Sequence, residues 1–102
     1  MTTKELIYEA LNGQLSEASE FVSESGMVIR NEFAKNKRCD MLYEEVYNAK
    51  QSLCERLNEE ENPEAEQIVA NMEVIMRTVA MKMFDYGFEC AKMNTMDIHK
   101  AS

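Results

Sequence analysis

Residues 63–96 read PEAEQIVANMEVIMRTVAMKMFDYGFECAKMNTM, and this stretch decides the fold. Ala65, Ile68, Met72, Ile75, Val79, Met83, Tyr86, Cys90 and Met93 recur at three- and four-residue steps. That spacing draws one apolar stripe along an α-helix. A second line, Val69, Met76, Ala80, Phe84, Gly87 and Ala91, lies beside the first, and Met81 and Phe88 widen the C-terminal half. A helix facing a single layer needs an apolar arc of only about 100°. This arc is wider, so from Ile75 onward the helix is expected to be covered on more than one side, by the rest of the chain or by a second copy.

Working outward, Asn62-Pro63 starts this helix. Asn is a good N-cap, Pro is preorganised for the first helical position, and Glu64 and Glu66 suit its positive end. The preceding segment, roughly 41–60, predicts another helix with Asp40 as N-cap. Leu42, Val46, Ala49, Leu53 and Leu57 form its stripe, with Tyr43, Tyr47 and Cys54 beside it. Glu59, Glu60 and Glu61 load its C-terminal end with negative charge, which the helix dipole disfavours, so these residues are expected to fray or to serve another purpose. The join is short, which makes the two helices antiparallel neighbours. They span roughly 30 Å and ~50 Å, so the longer one overhangs.

At the N-terminus, Thr2-Thr3-Lys4-Glu5 reads as a capping box. A short helix carrying Leu6, Ile7, Ala10 and Leu11 follows, and Asn12-Gly13 ends it. Across 14–36, Leu15, Ala18, Val22, Ile29 and Phe33 fit helical spacing, and a helix interrupted near Gly26 is expected. Met27-Val28-Ile29 as a short extended piece is the alternative. Lys35, Lys37 and Arg38 form a basic cluster, read as a polar connection that complements the preceding helix end rather than as an anion site.

With 102 residues the chain makes one domain, divided as 1–39, N-terminal helices and basic connection; 40–96, helical hairpin; and 97–102, loose tail. Three glycines and one proline are too few for an all-β chain. The fold class expected is therefore all-α: a long antiparallel hairpin with shorter N-terminal helices packed on it, dimerising through the long helix. Charges interrupt every apolar run before the ~18 residues of a membrane span. No apolar core of a signal peptide stands at the N-terminus, so a cytoplasmic location and no membrane partner are expected. Cys39, Cys54 and Cys90 show no C-x-x-C spacing and read as small apolar residues.

Leu11-Asn12-Gly13-Gln14-Leu15, followed by Glu17 or Glu20, resembles the opening of a family of small uncharacterised helical proteins from Gram-positive bacteria and their mobile elements. Phe84-Asp85-Tyr86-Gly87-Phe88, with Ala91 and Met93, is similar to that family's closing helix, approximately F-x-Y-G-F-x-x-G. The sequence departs from the pattern at Ala91, where glycine is usual, and in a longer segment over 21–40. The resemblance implies a helical hairpin with an N-terminal cap, and no activity.

Chemistry is hard to assemble from these residues. His99 is the single histidine, which argues against Ser-His, Cys-His and multi-histidine metal sites. There is no glycine-rich phosphate loop and no Glu-x-x-His pair. No catalysis, no cofactor and no metal are expected. The net charge of −8 argues against direct nucleic-acid binding. Nine acids and two bases fall between Glu44 and Glu73, while the remainder of the chain is almost balanced.

Binding remains. Met76, Met81, Phe84, Gly87 and Phe88 form a candidate apolar interface for another protein or a second copy, since Met-rich and aromatic faces suit adaptable helix recognition. The plainer account is that they complete this chain's own core. Gly87, costly inside a helix, points to a close backbone crossing, internal or from a partner. Glu55, Glu59, Glu60, Glu61, Glu64 and Glu66 form a candidate acidic surface. It is either a solubilising face or an imitation of nucleic-acid phosphates directed at a basic nucleic-acid-binding protein, in the general character of phage-type inhibitors of defence nucleases. The expectation is a non-enzymatic, protein-binding homodimer, with the acidic mimic and a self-associating structural protein as alternatives.

Overall fold

The computed structural model describes residues 1–101, with side-chain surroundings through Met93. The chain is mainly helical. Its elements run α1 (Thr3–Leu11), β1 (Glu20–Val22), β2 (Val28–Arg30), α2 (Arg38–Leu57) and α3 (Pro63–Ala101). The loose tail expected over 97–102 falls outside the residues whose side chains are described.

The capping box forms as read. The Glu5 N–H donates to Thr2 Oγ1, and the Glu5 carboxylate reaches back to the Thr2 N–H and hydroxyl. The other end of α1 closes in a Schellman turn: Gln14 N–H donates to the Glu9 carbonyl and Gly13 N–H to the Ala10 carbonyl, with Gly13 at φ 72°.

The helix expected across 14–36 does not form. In its place β1 and β2 pair antiparallel, with Phe21 opposite Ile29 and Glu20 opposite Arg30, so the all-α class is corrected to mainly helical with a small sheet. The physical reason lies in the turn. Ser23 accepts from Gly26 N–H at 2.9 Å, Met27 N–H donates to Ser23 Oγ, and Gly26 takes φ 87°. Ser-Glu-Ser-Gly thus gives the backbone a closed alternative to the helix. The β-branched Val22, Val28 and Ile29 then occupy strands, where branching costs least. Ile29 is buried and Phe21 half-buried, whereas their neighbours along each strand are exposed.

Asn31 joins this hairpin to α1. Its side-chain amide donates to the carbonyls of Ser16 and Ala18 at 3.2 Å each, and its Oδ1 accepts from the Phe33 N–H at 2.9 Å. The next residue, Glu32, donates its N–H to the Leu11 carbonyl at the end of α1. The element that leads into the basic cluster is β2, not a helix, so the complementarity expected there has no helix C-terminus to act on. Lys37 instead stands at the N-cap position of α2, without a side-chain cap hydrogen bond, and pairs with Glu32 at 3.8 Å. Asp40 is not the N-cap: it sits in the first turn and its Oδ2 accepts from Asn36 N–H.

The α2 helix stops at Leu57, short of the expected 60, because Asn58 turns left-handed (φ 53°) and Glu59 N–H closes onto the Cys54 carbonyl. Asn62 then caps α3, its Oδ1 accepting from Ala65 N–H at 2.8 Å while its amide donates to Glu59 Oε2. Between α2 and α3 the polar ties are Lys50–Glu66 at 2.7 Å and Tyr43 Oη–Glu73 at 3.5 Å.

The α1 helix lies antiparallel on the middle of α3. Lys4 meets Asp85 at 3.0 Å, and Arg77 meets Glu9 at 2.9 Å, Glu5 at 3.9 Å and the Tyr8 ring at 5.1 Å. Little else is covered. Among the described residues, Ala10, Ile29 and Ala65 are the buried apolar ones. The radius of gyration is 18.6 Å, against about 13 Å for a compact chain of this length.

Candidate functional site

The long helix presents two apolar sides with different fates. Met81 and Phe84 are half-buried on the side that α1 approaches. Along the other side, Ile68, Met72, Ile75, Val79, Met83 and Tyr86 are each more than half exposed, and Cys90 is exposed too. Within the chain the wide arc receives cover on one flank, because the N-terminal elements are short and the Arg77 and Lys4 ion pairs hold them to that flank.

The structure does not gather Met76, Met81, Phe84, Gly87 and Phe88 into one free face. Met76 is 44% and Phe88 58% exposed, while Met81 and Phe84 turn toward α1. Among the described residues no backbone crosses at Gly87: an added Cβ there would meet open space.

A groove of about 1140 Å³ opens where α1, α2 and α3 diverge. Tyr8, Phe33, Tyr43 and Val46 form one wall, and Ile68, Val69, Met72 and Met76 the other, with Glu73 and Arg77 at its polar margin. Phe33 and Tyr43 meet edge to face at 6.1 Å, which fixes the wall contributed by the loop before α2. The stripe of α2 is also open, with Leu42, Val46 and Leu57 each at least 41% exposed.

The acidic residues lie at and around the α2–α3 connection, and Glu55, Glu59, Glu60, Glu61, Glu64 and Glu66 are all exposed. Two of them also serve the fold: Glu66 pairs with Lys50, and Glu59 holds the amide of the Asn62 cap. The hydrogen bond to Glu66 raises the Lys50 pKa above its ordinary value. At α1, the hydrogen bonds from Thr2 hold the Glu5 carboxyl below its own.

Cys39 and Cys54 are half-buried, and all three cysteines are free thiols. Among the described residues, no group of three or more His, Cys, Asp or Glu is placed to hold a metal ion. None of the described helices is long and apolar enough to cross a membrane. The comparisons with known proteins come out empty. No family model, curated protein or solved structure matches the chain.

Sequence reasoning missed Arg77 and Asn31. Arg77 had a readable signal: a lone cation within an apolar run of α3, with Glu5 and Glu9 four apart on the short helix that must dock somewhere. Asn31 had little, since two of its three partners lie 13 and 15 residues earlier in the chain.

Proposed function

We propose that this chain is a non-enzymatic, protein-binding helical protein that works as a homodimer through the open face of α3. In this reading α2 and α3 act as an antiparallel hairpin, α1 and the small sheet brace its middle, and the assembly acts in the cytoplasm. The observation that carries it is surface. The accessible area is 8319 Å², whereas a compact monomer of this mass exposes about 5900 Å². Two chains together have an excess of about 4800 Å², within the roughly 2000–5000 Å² that obligate dimers remove from water over both partners. Sedimentation equilibrium tests this: a dimer is expected at micromolar concentration, and a monomer throughout the micromolar range would sink the reading.

The acidic end supports a second role, as a contact for a basic nucleic-acid-binding protein. Six exposed carboxylates crowd one end of the molecule, where they steer encounter with a positive surface. Capture from lysate of the source cell at low salt, followed by a salt step, is the test. A basic partner that is released by salt and lost on charge reversal at Glu60, Glu61 and Glu64 is the expected result. Capture unchanged by the reversals would remove this role.

A further inference from the structure

The exposed stripe of α3 has a symmetry of its own. Counted from Val79, its members stand at −11 (Ile68), −7 (Met72), −4 (Ile75), +4 (Met83), +7 (Tyr86) and +11 (Cys90). The pattern reads the same in both directions, and it repeats every 11 residues, a period of about 3.67 per turn that winds packed helices right-handed about one another. A two-fold axis through Val79 places every stripe residue against another stripe residue. We infer that two copies pack their α3 helices antiparallel about Val79, setting Ile75 against Met83, Met72 against Tyr86 and Ile68 against Cys90. The inference rests on the self-association proposed above and specifies its geometry.

Three observations select this arrangement. First, the face is exposed: Ile68, Met72, Ile75, Val79, Met83 and Tyr86 are each more than half accessible, and α1 lies on the opposite flank, with Met81 and Phe84. Second, a parallel pair would also match the stripe with itself, but it would bring both acidic connections to the same end. Glu64 would then stand beside Glu64 of the second copy, close to both sets of Glu59, Glu60 and Glu61. The antiparallel pair separates the two Glu64 positions by about 45 Å along the helix, far beyond the ~8 Å screening length of physiological salt. Third, the register lays Tyr86 and Cys90 of the second copy over Met72 and Ile68, the two stripe residues that also line the groove. The overhanging half of each α3 thus reaches the open half of the other, as an isologous contact requires.

Disulfide trapping tests the register. In a chain with Cys39→Ser and Cys54→Ala, native Cys90 is kept and Ile68→Cys is added. Oxidised glutathione accepts the two electrons as two thiols lose their protons and join. Within one chain the two positions lie about 33 Å apart along α3, so a 68–90 link must run between copies. The expected result is a covalent dimer whose cross-linked peptide joins 68 to 90, lost when Cys90→Ala is added. A 68–68 link would mean parallel helices and would overturn the register. Met72→Cys paired with Tyr86→Cys, in a chain with Cys39→Ser, Cys54→Ala and Cys90→Ala, repeats the test at an independent site should the first variant fold poorly by circular dichroism. Light scattering on the unaltered chain separates the two possible failures. A monomer overturns self-association itself, whereas a dimer that forms neither the 68–90 nor the 72–86 link overturns the Val79 axis alone.

Discussion

Gly13 and Asn31 depend on one another. Gly13 holds a left-handed φ of 72°, and a Cβ placed on it would come within 2.7 Å of Asn31 Oδ1. That oxygen accepts from the Phe33 N–H, while the amide on the same side chain holds two loop carbonyls. Gly13→Ala therefore combines backbone strain with displacement of a buried hub, and should cost about 2–3 kcal/mol in urea unfolding. Gly26→Ala meets the same kind of strain, φ 87°, but open space around the Cβ. It should cost only about 1 kcal/mol, and equal losses at the two sites would deny Asn31 its role. The turn at Gly13 was legible, since Asn-Gly after an apolar helical run announces a left-handed end. The hub was not, because a buried asparagine looks in sequence like any loop asparagine. Glu5 gives a pH dependence at the same scale. Its carboxyl titrates below its ordinary 4.5 in the folded chain, so the unfolded chain binds the proton first. Its contribution is present above pH 4.5 and is lost as pH falls through the lower folded value. Thr2→Ala should narrow that acid-sensitive step in a pH series of thermal melts.

At the scale of elements, α1 and α3 were legible through their caps and periodicity, and α2 through its stripe, with its ends displaced by a few residues. Local signals at the ends decided those displacements: Asn58 entering the left-handed region, and Lys37 rather than Asp40 standing at the cap. The β hairpin was misread because Leu15, Val22 and Ile29 are spaced by seven, a helical interval that two strands and a turn also satisfy by accident. Composition held the better signal, a Ser-Glu-Ser-Gly turn between β-branched residues. Asn62→Ala removes the side-chain cap of α3 and should lower stability by about 1 kcal/mol. Gly87→Ala has the opposite expected sign. With nothing near its Cβ, alanine should stabilise α3 by about 1 kcal/mol. A loss measured at dimer-forming concentration would instead locate a close approach by another chain at Gly87.

The whole molecule measures 68 × 26 × 24 Å, longer than a compact domain of this size because α3 runs past everything that packs on it. The sequence showed that α3 needs cover, since its apolar arc is too wide for one neighbour. Which flank α1 would take was readable only through Arg77, a cation among apolar residues that Glu9 answers; the Lys4–Asp85 pair, 81 residues apart, gives no sequence signal. If cover comes from a second copy, thermal stability must depend on concentration by mass action. The melting temperature should rise by several degrees over a hundredfold range of protein, and Val79→Glu should abolish that dependence while leaving α1 docked.

The sparse interior of the described chain, where Ala10, Ile29 and Ala65 are the buried apolar residues, bears on how the protein is kept in a cell. If a second copy supplies cover, as proposed, a newly made chain is most open to proteases before it pairs, and the rate of pairing rises with the number of copies already present. Degradation of the uncovered form is proportional to its amount, whereas pairing grows with the square of that amount. Below some rate of synthesis the chain is removed nearly as fast as it is made, and above it the protein accumulates. Its abundance is thus expected to rise more steeply than in proportion to gene dosage.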